Sequence, residues 1–407
     1  MRLPRVSWRA LIAFGAILVL LDIGTAQIAK RVLPQWFSAM PGSSARAFSP
    51  LYHHGFRPMM ATKQRFGPLL YPIYTNSLAM VDGRARKVDP KAGGCRVLVM
   101  GDSFTEGVGN AWPETFAGRL AAAWAPRGVE VLNAAAVSYS PTIHYRKLKY
   151  LLDEIGLRVD SVLLFLDLSD IADEWEQYDL GPDGNVKGRA PDWLMRRDRE
   201  PAGFDRAWFL LQDNSAILHL LRDAAIRLGR SLWGEEPDPP RPPAPAPRAA
   251  PVPPLGAIEP PPIVLAHEAR ARRVAGAWED HRARWTIDQD RYDAFGRFGL
   301  AKAAAMMDRL ALLLRERLLP LTVVVYPWPD QIVAGDRDSV QVRFWRAWAR
   351  TRGAGFIDLF PLFLDKGPAD EALARYVIAR DFHWNAAGHA LVAEAIDRQF
   401  DPRRSCP

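Results

Sequence analysis

The sequence predicts an α/β fold with a five-stranded parallel sheet, interrupted by one long insertion. Two observations carry this. Short apolar, β-branched runs alternate with segments whose apolar residues recur at helical spacing, and a strand–helix–strand alternation closes into a parallel sheet. The alternation stops after Asp167 and resumes near residue 297, so two halves of one sheet flank a segment of different character. At 407 residues and 49% hydrophobic composition, the chain can bury such a core and still carry an insertion.

The first thirty residues precede the fold. Arg2, Arg5 and Arg9 lead into an apolar stretch from Ala10 to Leu21, which continues less purely through Asp22, Thr25 and Gln27 to Ala29. A basic flank before an apolar run reads as an export signal. Residues 1–29 are expected to be an uncleaved signal anchor: a single transmembrane helix in the cell inner membrane, with the catalytic domain in the periplasm or another extracytoplasmic space. Secretion after signal cleavage is the alternative, because the uninterrupted part falls short of the ~20 residues a span needs and Asp22 is costly inside one. Residues 30–94, broken by Phe56-Arg57-Pro58 and Tyr71-Pro72-Ile73-Tyr74, read as an extended lead-in rather than a separate domain.

Strands are then expected at 96–100, 130–135 and 161–167. A helix begins at Pro113, which suits a first turn where no N–H partner is lost, and places Phe116, Leu120 and Trp124 on one face. The next, from Ile143 to Ile155, carries Leu148, Leu151 and Leu152 on its stripe. Within the insertion an amphipathic helix is expected near 205–229. The segment Pro237 to Pro262 holds 13 of the chain's 34 prolines, a density that forbids helix or central strand and implies an extended linker. The pattern returns with a helix near 297–317, the strand Leu321 to Tyr326, a helix near 340–350, the strand Gly355 to Leu359 and a last helix from Ala386. The expected organisation is therefore a sheet domain formed by 95–170 and 297–407, with 171–296 inserted and 237–262 as its Pro-rich linker.

The net charge of +7 comes from 53 Lys+Arg against 46 Asp+Glu, but the charges are interspersed. With no recognition motif and no basic–aromatic interleaving, a nucleic-acid partner is not expected. Cys95 and Cys406 are too few for a disulfide framework and lack metal-ligand spacing. Cys95 is expected as a small core residue and Cys406 in a frayed terminus.

The chemistry concentrates at two places. Gly101-Asp102-Ser103 follows the apolar run Arg96 to Met100, so Ser103 should project beyond the carboxyl end of a parallel strand, where open α/β sheets place ligands. A serine hydroxyl needs a base to be a nucleophile, and Asp381-Phe382-His383-Trp384-Asn385, just before the last helix, offers one. Together these motifs resemble the SGNH, or GDSL, hydrolase superfamily, in its membrane-anchored envelope form, over roughly 96–170 and 297–397.

The resemblance implies a flavodoxin-like three-layer α/β/α sandwich and a serine esterase. Ser103 would be the nucleophile, His383 its general base and Asp381 the carboxylate that orients the imidazole. Family members usually build the oxyanion hole from the serine N–H, a glycine N–H in a second block and an asparagine side chain in a third. Here those positions correspond to Ser103, to Ser138 in Asn133-Ala134-Ala135-Ala136-Val137-Ser138-Tyr139-Ser140, and to Ser169 in Asp167-Leu168-Ser169-Asp170. A backbone donor survives the change at Ser138 if the conformation does, whereas a hydroxyl at 169 reaches less far than an amide. Asn385 is expected to cap the last helix and His389 to be structural or solvent-facing.

The acidic run Asp167, Asp170, Asp173, Glu174, Glu176 and Asp179 lacks a glycine-turned calcium-loop pattern. It is read as a solvated, partly site-lining loop, with no metal or cofactor expected. Trp328, after the fourth strand, is expected to pack within the fold. The functional expectation is an ester hydrolase acting through an acyl-enzyme on an acyl ester or acylated glycan at the cell envelope. Two alternatives stand: an O-acyltransferase that moves acetyl groups onto an envelope or secreted polysaccharide, and a non-catalytic, membrane-anchored glycan-binding scaffold.

Overall fold

The computed structural model describes residues 7–32, 45–66, 69–188, 215–218, 281–379, 381–404 and 406. The Pro-rich linker 237–262 lies outside these, as does the helix expected near 205–229 save for 215–218. The chain forms two compact units, one from Met1–Ser44, Arg65–Leu70 and Met195–Ala249, the other from Ala45–Gln64, Tyr71–Leu194 and Ala250–Pro407.

In the first unit, helix α1 (Trp8–Val32) runs for 25 residues. Asp22 accepts the Ile217 backbone N–H at 2.9 Å, and Ala26 and Ala216 are buried together. Among the described residues no helix is long and apolar enough to cross a membrane. The expectation of a transmembrane helix at 1–29 is not supported among the described residues, which begin at residue 7.

The second unit is built on a sheet. Strands β1 (Arg46–Ser49) and β2 (His53–Phe56) form a separate antiparallel hairpin, in which Arg46 pairs with Phe56 and Ser49 with His53. Strands β3 (Ala61–Phe66), β4 (Leu69–Thr75), β5 (Val81–Asp82), β6 (Cys95–Met100), β7 (Val129–Asn133) and β8 (Ser161–Leu166) follow. A hairpin of β9 (Tyr178–Leu180) and β10 (Val186–Gly188) precedes β11 (Leu321–Val325) and β12 (Gly355–Asp358). The main sheet has eight strands in the order β12-β11-β8-β6-β7-β5-β4-β3.

Five of these are parallel, and read from β7 their chain order is 2-1-3-4-5, the flavodoxin-like order. The cause is visible in β6 and β8. Every residue of Cys-Arg-Val-Leu-Val-Met and of Ser-Val-Leu-Leu-Phe-Leu is buried, as strands covered on both faces require. The sheet is wider than the five strands expected, because β5 joins β7 antiparallel through Val81 opposite Asn133, and β4 joins β5. Segments read as lead-in are thus the sheet's own edge.

Helices α2 (Ser103–Glu106), α3 (Phe116–Trp124), α4 (Pro141–Lys149) and α5 (Leu168–Glu176) follow the first three parallel strands. After the insertion come α6 (Arg297–Arg315), α7 (Pro329–Ala334), α8 (Val340–Arg352), α9 (Phe360–Leu364), α10 (Ala369–Tyr376) and α11 (Ala386–Gln399). Helices α4, α5 and α6 pack on one another, and α3 packs against α11, which completes three layers. Helix α5 runs across the expected boundary at 170. The return to the core begins before 297, since Trp285 is fully buried and donates its Nε1–H to the Leu168 carbonyl at 2.9 Å.

The two cysteines form a disulfide between Cys95 at the start of β6 and Cys406, with Cα atoms 5.2 Å apart across a separation of 311 residues. Cys95 is buried in the core as expected, and the bond corrects the reading of Cys406 as part of a frayed terminus. The sequence brings the tail back because α11 packs on α3 and Arg403 donates to the Arg127 carbonyl at 2.8 Å. A cross-link over so long a loop restricts the unfolded chain, an effect typically worth about 2–4 kcal/mol. Reductant, or the pair C95S/C406S, is expected to lower the thermal midpoint, with no further effect of reductant on the double variant. An unchanged midpoint contradicts the bond.

Candidate active site

The position of Ser103 is set by a turn. The chain leaves β6 at Gly101, where a side chain would meet Thr105 Cβ at 2.7 Å, so only glycine allows the tight strand-to-helix turn. Asp102 then caps α2, its Oδ1 accepting the Phe104 N–H at 3.0 Å. Gly107 ends this single turn of helix at φ 86°. Ser103 therefore stands at the carboxyl end of β6, next to β8, at the point where the strand order reverses. That is the crevice in which doubly wound sheets hold ligands.

His383 arrives from the other end of the chain. Ile378 N–H donates to the His383 carbonyl, Asp381 N–H to the Ile378 carbonyl, and Asn385 caps α11 by accepting from Ala387 and Gly388. The imidazole packs among Phe104, with ring centroids 4.8 Å apart, and Phe382, at 4.2 Å. Phe382 in turn stacks on Trp328.

In this setting Ser103 Oγ lies 2.8 Å from His383 Nε2, and His383 Nδ1 lies 2.6 Å from Asp381 Oδ1. The Asp381 carboxylate also accepts the His383 backbone N–H at 2.8 Å. Partial burial alone would raise the Asp381 carboxyl, but the hydrogen bonds and charge of His383 outweigh it and hold that group below its ordinary value. Ser103, Asp381 and His383 are thus in one place, with the contacts of a nucleophile, a base and the carboxylate that fixes the base's tautomer.

Ser138 lies in the loop after β7. Val137 N–H donates to Glu106 Oε2 at 2.9 Å and Asn133 Nδ2 to the Thr105 carbonyl at 2.8 Å, so this loop is tied to the helix that Ser103 begins. Ser138 has φ 55°, the left-handed conformation that glycine would adopt freely. Ser169 directs both its donors to Asp167 Oδ1, the N–H at 2.7 Å and the hydroxyl at 2.8 Å.

Most of the acidic run is buried, which corrects the reading of a solvated, partly site-lining loop for Asp167 to Glu174, while Glu176 is exposed and Asp179 half-buried on β9. Asp170, Asp173 and Glu174 are buried on α5, at helical spacing. Glu174 accepts from Ser140 Oγ at 2.7 Å and from Thr142 N–H at 2.8 Å. Asp102, Asp167 and Asp170 each bring a carboxylate oxygen within 4.8 Å of the others, a spacing that could also suit an ion. Their partners are neutral donors: Tyr326 Oη to Asp102 at 3.0 Å, Trp328 Nε1 to Asp167 at 2.6 Å, and backbone N–H groups. Among the described residues, the other set with such spacing is Cys95, Asp160 and Cys406, whose sulfurs the disulfide consumes.

Burial, reinforced by the neighbouring Asp167, pushes both the Asp102 and Asp170 carboxyls well above their ordinary value. This matters because Ser103 Oγ is also 3.0 Å from Asp102 Oδ2. A hydroxyl has one proton for two potential acceptors, and the upward shift of the Asp102 carboxyl disfavours the ionised form that would compete with His383 for it.

Sequence reasoning missed Asp102's second role and its partner Tyr326, and the bond from Trp328 to Asp167; the one available signal was that Asp102 adjoins Ser103. Trp328 packs within the fold as expected, and also serves Asp167. His389 is buried and structural: its Nδ1 accepts the Phe116 N–H at 3.2 Å, and burial lowers its pKa to about 3.

No protein-family model and no curated protein matches the chain. Solved structures do. LAE5, an alpha/beta hydrolase enzyme from the metagenome of Lake Arreo, aligns at 13% identity and TM-score 0.34 over 77% of this chain and 97% of its own. A member of the lipolytic protein G-D-S-L family from Veillonella parvula aligns at 10% identity and TM-score 0.37, covering 75% and 98%. Axe2, an acetylxylan esterase from Geobacillus stearothermophilus, aligns at 12% and 0.37, covering 78% and 99%. Likenesses this distant assign no activity.

The raised carboxyls have a consequence for stability. The unfolded chain ionises Asp170 above about pH 4, while burial in the folded protein favours the protonated carboxyl, so folding is increasingly penalised as pH rises past that point. Asp170→Asn removes the penalty. The thermal midpoint of this variant relative to wild type is expected to climb as pH rises above about 4; a difference that stays flat or shrinks contradicts the assignment.

Proposed function

We propose that the chain is a serine ester hydrolase of SGNH type, working through an acyl-enzyme on Ser103. The observation that carries this reading is the 2.8 Å contact between Ser103 Oγ and His383 Nε2, continued at 2.6 Å to Asp381. In the proposed cycle the ester carbonyl enters the crevice beside Ser103. Oγ bonds to the carbonyl carbon as its proton passes to His383 Nε2, and Asp381 stabilises the imidazolium through Nδ1–H. The negative charge on the former carbonyl oxygen is met by the backbone N–H groups of Ser103 and Ser138. Ser169 is not given a donor role in this cycle, since both its donors face Asp167. His383 then protonates the leaving alkoxide. Water, deprotonated by the same imidazole, attacks the acyl-enzyme and releases the carboxylic acid and Ser103.

The reading extends to where the enzyme works. A disulfide between Cys95 and Cys406 suits an oxidising compartment, and the basic, then apolar, N-terminus suits export. An extracytoplasmic location follows as part of the proposal. A reporter active only outside the cytoplasm, fused after Pro407, is expected to be active; a well-expressed but inactive fusion contradicts it.

The enzymatic test is turnover of p-nitrophenyl acetate. Wild type is expected to release p-nitrophenol, Ser103→Ala to lose about 10⁴-fold or more in kcat, and Asp381→Asn to lose about 10³–10⁴-fold through the wrong imidazole tautomer. Turnover that survives Ser103→Ala overturns the proposal. Acetyl appearing on an added soluble oligosaccharide, rather than as acetate, would replace hydrolysis by transfer.

A further inference from the structure

Ser138 keeps a left-handed backbone that a residue with a Cβ adopts only when its surroundings demand it. The demand comes from both sides of residue 137. Val137 N–H donates to Glu106 Oε2 at 2.9 Å, and the same oxygen accepts from Arg46 Nη1 at 2.9 Å. The Val137 carbonyl is held at 2.7 Å by His54 Nε2. Tyr139 Oη donates to the His54 carbonyl at 2.7 Å and receives Lys147 Nζ at 3.0 Å. Arg46 and His54 belong to the β1–β2 hairpin, outside the parallel sheet.

The geometry of one peptide bond connects this clamp to catalysis. The Val137 carbonyl and the Ser138 N–H share a planar trans unit, so they point in opposite directions. A donor that grips the oxygen on the hairpin side fixes the N–H on the other side and, by polarising the unit, strengthens it as a donor. The hydrogen positions are determined as well. A carbonyl only accepts, so His54 Nε2 carries the proton. Burial keeps the ring neutral, with its pKa lowered to about 3, and Nδ1 therefore accepts. The group facing it at 2.7 Å is His53 Nδ1, which must donate. The His53 Nε2 is then a lone pair, in keeping with its burial without a hydrogen-bond partner among the described residues.

We propose that His54 is a positioning residue for ester cleavage: it holds the Val137–Ser138 peptide so that the Ser138 N–H serves as an oxyanion donor, while His53 fixes the His54 tautomer. The inference rests on the acyl-enzyme reading of Ser103 and adds to it a role for the N-terminal hairpin.

The test uses the full chain and p-nitrophenyl acetate, with His54→Phe chosen to keep ring volume while removing the donor. His54→Phe is expected to lower kcat about tenfold to hundredfold with KM within about twofold, as for a displaced catalytic group. His54→Gln, whose amide nitrogen can reach the same carbonyl, is expected to restore kcat to within about threefold of wild type. In the S138G background, where glycine adopts the left-handed conformation without help, His54→Phe is expected to cost only about threefold. A structural role alone would not produce that suppression. The proposal is overturned if His54→Phe leaves kcat unchanged, if it lowers kcat equally in both backgrounds, or if kcat falls only in parallel with loss of folded protein in thermal melting. A wild type without Ser103-dependent turnover is a separate result: it removes the parent reading, and this one with it.

Discussion

A hydrogen bond of 2.8 Å joins two side chains 280 residues apart in sequence, and the architecture can be read as the means of making it. Ser103 is fixed to the end of β6 by a glycine that nothing larger could replace and by the Asp102 cap. His383 is fixed by a short loop ending in the Asn385 cap of α11. Helix α11 packs on α3, which follows β6 in the chain, so His383 is registered to the same strand that bears Ser103. The disulfide between Cys95 and Cys406 ties the beginning of β6 to the tail beyond α11, closing the same circuit at its far end.

Around that bond the electrostatics divide into two sides. On one, Asp381 is held ionised by the imidazole it serves. On the other, Asp102 lies in a buried group with Asp167 and Asp170, met by neutral donors, and its carboxyl is pushed well above its ordinary value. Two carboxyls within reach of Ser103 and His383 are thereby shifted in opposite directions by burial and partners, the general way a site assigns different roles to the same residue type. The loop of Ser138 is governed by different means. Its strained residue follows Val137, whose N–H donates to Glu106 and whose carbonyl accepts from His54.

What was legible in the sequence is what is local. The parallel sheet could be read from β6 and β8, whose unbroken apolar runs match burial on both faces, and Ser103, Asp381 and His383 sit in short motifs at the ends of elements. What was not legible depends on distant pairing. His54 meets Val137 across 83 residues and Arg46 meets Glu106 across 60, so a segment read as lead-in is part of the site's support. The Cys95–Cys406 bond spans 311 residues, beyond any spacing rule for two cysteines. The acidic run is an instructive miss of another kind: Asp170, Asp173 and Glu174 recur at helical spacing, and charge was allowed to outweigh periodicity. For the N-terminal helix the apolar run was visible, as was Asp22 at its end, but the bond from Ile217 to that carboxylate spans 195 residues and was not.

The central claim is that Ser103 is a nucleophile activated by His383, and the most direct measurement is the site of covalent capture. Folded protein treated with a fluorophosphonate and examined by intact mass and peptide mapping should carry one adduct, on Ser103, and His383→Ala should carry little or none in the same time. An adduct on a different residue, or labelling of Ser103 that does not depend on His383, would contradict the account.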